Sequence, residues 1–90
     1  MSVKDVVQNQ IQVARICRER HVTMSEIDWL AGGIVFVLKH SMSVIADRCR
    51  FTQTADDYLQ ELANAGQHEA AAKVSAWLDQ LPQQQDLFAA

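Results

Sequence analysis

The chain contains one proline and three glycines in ninety residues. So few breakers leave no supply of tight turns for a many-stranded sheet, and they allow long uninterrupted helices. There are two cysteines, Cys17 and Cys49, and the N-terminus shows no basic region followed by an apolar run. Reduced thiols in a cytoplasm are therefore the expectation. Cations become scarce after residue 50. Lys73 stands alone there against Asp56, Asp57, Glu61, Glu69, Asp79 and Asp86. That half is repelled by a phosphate backbone, which disfavours direct nucleic-acid binding. The apolar run from Trp29 to Leu38 is shorter than the about 20 residues that span a bilayer, so no membrane role is expected. The chain also lacks a Gly-rich phosphate loop, a Ser/His/Asp or Cys/His order and metal-ligand spacing. These absences give no support for an enzyme, a cofactor or a metal.

What is present is apolar content. Hydrophobic residues make up 49% of the chain, too many for a disordered segment. Ninety residues form one domain with one modest core and a large exposed share. Small helical proteins of this kind often dimerise to cover a leftover face.

Periodicity gives four helices. The first spans about Val3 to Arg20, with Ser2 as N-cap candidate and Asp5 in the favourable first turn. Val3, Val7, Ile11, Ala14 and Cys17 share one face, and Val6, Val13 and Ile16 widen it. The second starts at Thr23-Met24-Ser25-Glu26, read as a capping box with Thr23 as N-cap, and can run to about Arg50. It is apolar nearly all round between Trp29 and Leu38, as expected of a helix covered on most sides or shared across a dimer. Gly32 and Gly33 each cost it about 1 kcal/mol, which favours a close helix approach or a kink there. His40-Ser41 is where it would bend or end early. The third helix starts at Thr54-Ala55-Asp56-Asp57 and ends near Ala65, with Tyr58, Leu59 and Leu62 inward and Gly66 as C-cap. The fourth runs from about His68 to Leu81 on a stripe of Ala71, Val74, Trp77, Leu78 and Leu81, and forms a hairpin with the third. The expected fold is all-α: a bundle of about four helices with a long apolar central helix and a C-terminal helical hairpin. Residues 1–82 form the helical domain, and residues 83–90 form a flexible tail.

Few polar groups cluster. Cys17 and His21, four apart, could share a metal only if His40 or Cys49 converged on them. A buried thiol and a solvated histidine account for the pair as well. Asp56 and Asp57 read as acids at a helix N-terminus, offsetting its dipole. Arg15, Arg18, Arg20 and His21, with Arg48 and Arg50, form the one basic concentration, and helix-end cations explain it. Trp29 and Trp77 read as core; a Trp29 left exposed beside Gly32 would instead mark an interface. Both thiols fall on expected apolar faces and should be protected.

The last nine residues differ from the rest. Pro82 ends the fourth helix, Gln83, Gln84 and Gln85 provide a solvated tether, and Asp86 leads into Leu87 and Phe88. A terminal aromatic pair of this kind is either a hook for another protein or part of the chain's own core. The segment Gln84-Gln85-Asp86-Leu87-Phe88 resembles the short peptide by which bacterial replication and repair proteins hold the DNA polymerase sliding clamp. Gln84, Asp86, Leu87 and Phe88 match that pattern; Gln85 departs from it, since the family prefers Leu there. The information lies in Asp-Leu-Phe, a triplet expected by chance in roughly one window in a few thousand. The resemblance implies that Leu87 and Phe88 fill an apolar pocket on the clamp while Gln84 hydrogen-bonds beside it.

The sequence therefore leads to a small non-enzymatic adaptor or regulator of bacterial, phage or plasmid origin, docked on the sliding clamp by its tail. A second reading is a dimeric helical protein that binds and inactivates another regulator, with the tail incidental. A helix-turn-helix DNA binder is a third, opposed by the acidic second half. A homodimer is expected through Trp29, Gly32, Gly33, Ile34 and Val37 of the second helix.

Overall fold

A computed structural model describes residues 2–20, 23–45 and 47–81. It contains four helices and, among the described residues, no strand. They are α1 (Val3–Arg20), α2 (Glu26–Val44), α3 (Arg48–Asn64) and α4 (His68–Gln80).

Local hydrogen bonding fixes the ends. The Asp5 amide donates to Ser2 Oγ (3.1 Å), and the Ser2 amide donates back to Asp5 Oδ2 (3.4 Å). This reciprocal pair starts α1 at the cap expected from sequence. For α2 the expected cap is displaced by two residues. Ser25, not Thr23, is the N-cap, and its Oγ accepts from the Asp28 amide (3.1 Å). Thr23-x-x-Glu26 and Ser25-x-x-Asp28 have the same form, and the second places its acid where Lys73 can reach it.

The sequence reading carries α2 to Arg50; the helix stops at Val44. Near its end the hydroxyls of Ser41 and Ser43 donate back to the carbonyls of Val37 (3.1 Å) and His40 (2.6 Å), bonds that compete with the helix ladder. Ile45 is extended (φ −97°, ψ 110°), and Asp47 then caps α3, its Oδ1 accepting from the amides of Cys49 (2.8 Å) and Arg50 (3.4 Å). The third helix therefore begins six residues before the expected Thr54. That shift brings Phe51 and Ala55 into the core and leaves Asp56 and Asp57 exposed in mid-helix rather than at an N-terminus.

α3 ends as expected at Gly66. The Gly66 amide donates to the Ala63 carbonyl (3.0 Å) and the Gln67 amide to the Leu62 carbonyl (2.8 Å). This paired closure needs a left-handed residue, and Gly66 has φ +77°. The turn is short, so α3 and α4 form the expected hairpin. α4 closes at Leu81, which is extended (φ −67°, ψ 143°), as a residue preceding a proline is pushed to be.

The helices pack in a ring, α1 against α2, α2 against α4, α4 against α3 and α3 against α1. Each contributes to one core: Val7, Ile11 and Ala14; Leu30, Ala31, Ile34 and Leu38; Phe51, Ala55, Tyr58 and Leu62; Ala70 and Val74. Ile34, Leu38, Leu62, Ala70 and Val74 are completely buried. Trp29, Trp77, Leu59, Leu78 and Leu81 pack against this core from its edges. Two residues expected to widen the inner face of α1 do not. Val13 and Ile16 are exposed, because the Val7–Ile11–Ala14 stripe already meets both neighbouring helices.

Two stability outcomes follow. Ile34→Ala should cost about 3 kcal/mol in urea unfolding, within the range for truncating a fully buried aliphatic side chain. Gly66→Ala should cost about 1 kcal/mol, because an L side chain is strained at a left-handed position.

Candidate interaction surface

The candidate residues fall in three places. Gln84, Asp86, Leu87 and Phe88 lie outside the described residues, as does Pro82. The second group, expected at a dimer interface, is divided by the structure. Gly32 is exposed, Trp29, Gly33 and Val37 are half-buried, and Ile34 has no exposed surface. Ile34 points into the chain's own core and offers nothing to a second copy.

The third place is a surface that periodicity alone did not isolate. α2 is covered over most of its circumference between Trp29 and Leu38, as expected, but one arc is left open. Its outer arc carries Phe36, 73% exposed; Val44, 68% exposed, lies past the arc's margin in the last turn. With about 3.6 residues per turn, Gly32, Phe36 and Ser43 share this arc, with Lys39 on one margin and Trp29 and His40 on the other. A Cβ on Gly32 would meet nothing within 4 Å, so the space beside Phe36 is open. Gly33 differs, because the Gln10 side-chain amide lies where its Cβ would stand. The close approach expected at the glycine pair thus comes from a glutamine side chain of α1, not from a helix backbone. Val13, one turn after Gln10, extends the apolar surface along α1.

This distribution is one-sided. Among the described residues, the exposed large apolar side chains are Val13, Ile16, Met24, Phe36 and Val44, all on α1, α2 or the turn between them. α3 and α4 instead expose Asp56, Asp57, Glu69 and Asp79. The signal was available in sequence as apolar residues all round α2, but telling the inner arc from the outer one requires knowing where α1 and α4 sit.

Among the described residues no three His, Cys, Asp or Glu side chains are grouped to hold a metal ion. Cys17 is half-buried, and His21 lies outside the described residues. Cys49 is exposed in the first turn of α3, so the protection expected for it from sequence is absent. The basic residues also separate. Arg15, Arg18 and Arg20 close α1, whereas Arg48 and Arg50 open α3, and the whole of α2 lies between, about 28 Å at 1.5 Å per residue. α2 is long and apolar enough to cross a membrane by length and composition, yet its inner arc is packed within the bundle as a core helix is.

At the α4 side of α2, Lys73 Nζ lies 3.0 Å from Asp28 Oδ1, both side chains about half exposed. Hydrogen bonding from Lys73, then from Ser25, and the Lys73 charge hold the Asp28 carboxyl below its ordinary value. In the core, burial raises the Tyr58 phenol and keeps it neutral. Comparison with protein families, with curated proteins and with solved structures finds no match to this chain.

The Asp28 carboxyl should titrate below the ordinary aspartate range in a carbon-detected NMR series, and Lys73→Ala should move it back upward. Because the folded-state value is depressed, the bridge contributes at neutral pH and its contribution is lost as pH falls through that value. Both partners are solvated, so the contribution is small.

Proposed function

We propose that this protein is a small non-enzymatic adaptor or regulator that docks on the DNA polymerase sliding clamp through Gln84, Asp86, Leu87 and Phe88. The reading rests on the Gln84…Asp86-Leu87-Phe88 pattern following a helical body whose core is made by residues 7–74. In this reading Leu87 and Phe88 are the anchors offered to the partner. In such a peptide most of the binding energy comes from the apolar pair entering a pocket, while the glutamine amide sets register. A peptide of this size binds at about micromolar strength, near −8 kcal/mol. The helical body then brings, blocks or positions a further component at the clamp, in the cytoplasm of a bacterium or during phage or plasmid replication.

One observation favours a second reading. Phe36 is 73% exposed on the outer arc of α2, a large apolar side chain without a covering helix. A dimeric helical protein that masks another regulator would use such a surface, with the tail incidental.

The decisive experiment is calorimetric titration of the full chain into a purified bacterial sliding clamp. The double change Leu87→Ala, Phe88→Ala should abolish binding and leave the melting temperature within about 2 °C of wild type, as the proposed solvated tail requires. Gln85→Leu should tighten binding by restoring the preferred residue. Clamp binding that survives the double alanine change, or a melting temperature lowered by many degrees, would overturn the reading. In the second case Leu87 and Phe88 would belong to the chain's own core.

A further inference from the structure

We infer that the outer arc of α2 is a homodimer interface in which two copies pack antiparallel, Phe36 of each seated over Gly32 of the other. The inference stands on the exposed face alone and does not need the tail to bind a clamp.

Three observations converge on a second copy as the occupant. The first is shape. Phe36 protrudes, and Gly32, one turn earlier on the same arc, is exposed, with no atom of another element within 4 Å of where its Cβ would stand. A protrusion and a hollow one turn apart on one helix are complementary to themselves when a second copy runs the opposite way. The two-fold relation then forms both contacts at once.

The second is charge. Asp28 lies near the start of α2 and Lys39 near its end, and both are on the flank that turns toward α4. In an antiparallel pair related by a two-fold axis, like flanks meet. With Gly32 opposite Phe36, that register carries Lys39 of each copy to the level of Asp28 of the other. A parallel pair would instead bring unlike flanks together, so that Lys39 and Asp28 of each copy would meet the α1-side flank of the other and the Lys39–Asp28 complementarity would be lost. The opposed helix dipoles favour the same direction.

The third is the one-sidedness of the surface. Val13 is exposed one turn after Gln10, the α1 residue that lies against Gly33, and Val44 is exposed at the end of α2, so exposed apolar side chains are found on both helices beside the arc. The α3–α4 side, with Asp56, Asp57, Glu69 and Asp79 exposed, remains outside and solvated. A chain of this length has no remaining described element to cover α2 itself.

This arrangement corrects which α2 residues a dimer would use. Gly32, Phe36 and Lys39 lie on the arc, with Trp29 at its edge; Ile34 does not. If the tail holds a clamp, two tails on one dimer raise apparent affinity through effective concentration, without a new contact.

The test is the mass of the full chain by sedimentation equilibrium and light scattering, up to a few hundred micromolar. The expected result is a dimer of the 10.1 kDa chain. Phe36→Glu should give a monomer with unchanged helical circular dichroism, because the side chain it replaces is solvated in the single chain. Gly32→Leu should also give a monomer, since it fills the hollow while improving the helix. For direction, Gly32→Cys and Phe36→Cys are each placed in a chain carrying Cys17→Ser and Cys49→Ser. The mixture should form a disulfide-linked pair under mild oxidation, and neither variant alone should. A wild-type monomer at all concentrations, a dimer that Phe36→Glu leaves intact, or cross-linking of Phe36→Cys with itself would each overturn the inference. So would a monomeric chain that sediments with anionic phosphatidylglycerol vesicles and is released by Phe36→Glu, since the face would then be a lipid contact.

Discussion

Complete burial of Ile34 and Leu38 cannot be achieved by any two helices of this chain. α2 must be flanked by α1 and α4, and α3 must close the ring from the far side. Once that inner stripe is satisfied, much else is determined. The Asp28 carboxylate is carried to Lys73 on α4, Gly33 is carried under Gln10 of α1, and the opposite arc of α2 is left facing water with Phe36 on it. The exposed surface is therefore a consequence of the core. A helix written apolar on nearly its whole circumference has only part of that circumference covered by two flanking helices.

The helical hairpin at the C-terminal side was legible because its punctuation is unambiguous. Among the described residues Gly66 is the one with a left-handed φ, and the Val74 stripe has a clear period. The same holds for α1, where Ser2 and Asp5 bond reciprocally. The α2–α3 joint was not legible. No glycine or proline lies between Gly33 and Gly66, so composition does not mark where the second helix ends, and the sequence reading puts the joint between Arg50 and Thr54 instead of between Val44 and Arg48. A single aspartate, Asp47, outweighs continuation by satisfying the first amides of α3, and the back-bonded serines weaken the end of α2. That choice also shifted Phe51 into the core and Asp56 and Asp57 out of a cap.

The interaction surface was half legible. Excess apolar character on α2 marked the right helix, and the glycine pair marked the right turn. Assigning residues to the inner or outer arc depends on tertiary packing, which sets Ile34 inward and Phe36 outward although they are two positions apart. The two glycines, alike in sequence, are separated by the same packing. One is covered by Gln10 and the other is open. The tail pattern lies in a different category, since its information is in the order Asp86-Leu87-Phe88 and not in periodicity.

The unequal division of the surface also bears on how this sequence can drift. Substitutions on the outer faces of α3 and α4 meet solvent and neighbouring carboxylates, so one polar residue can replace another with little effect on packing. On the outer face of α2 the same freedom exists as far as folding is concerned, because Phe36 and Val44 add almost nothing to the core. If chains descended from this one keep bulk at residue 36 and smallness at residue 32 while α3 and α4 diversify, selection is acting there on something other than the fold. The contrast between the two halves is thus a record that a set of descendant sequences would make readable without any further structure.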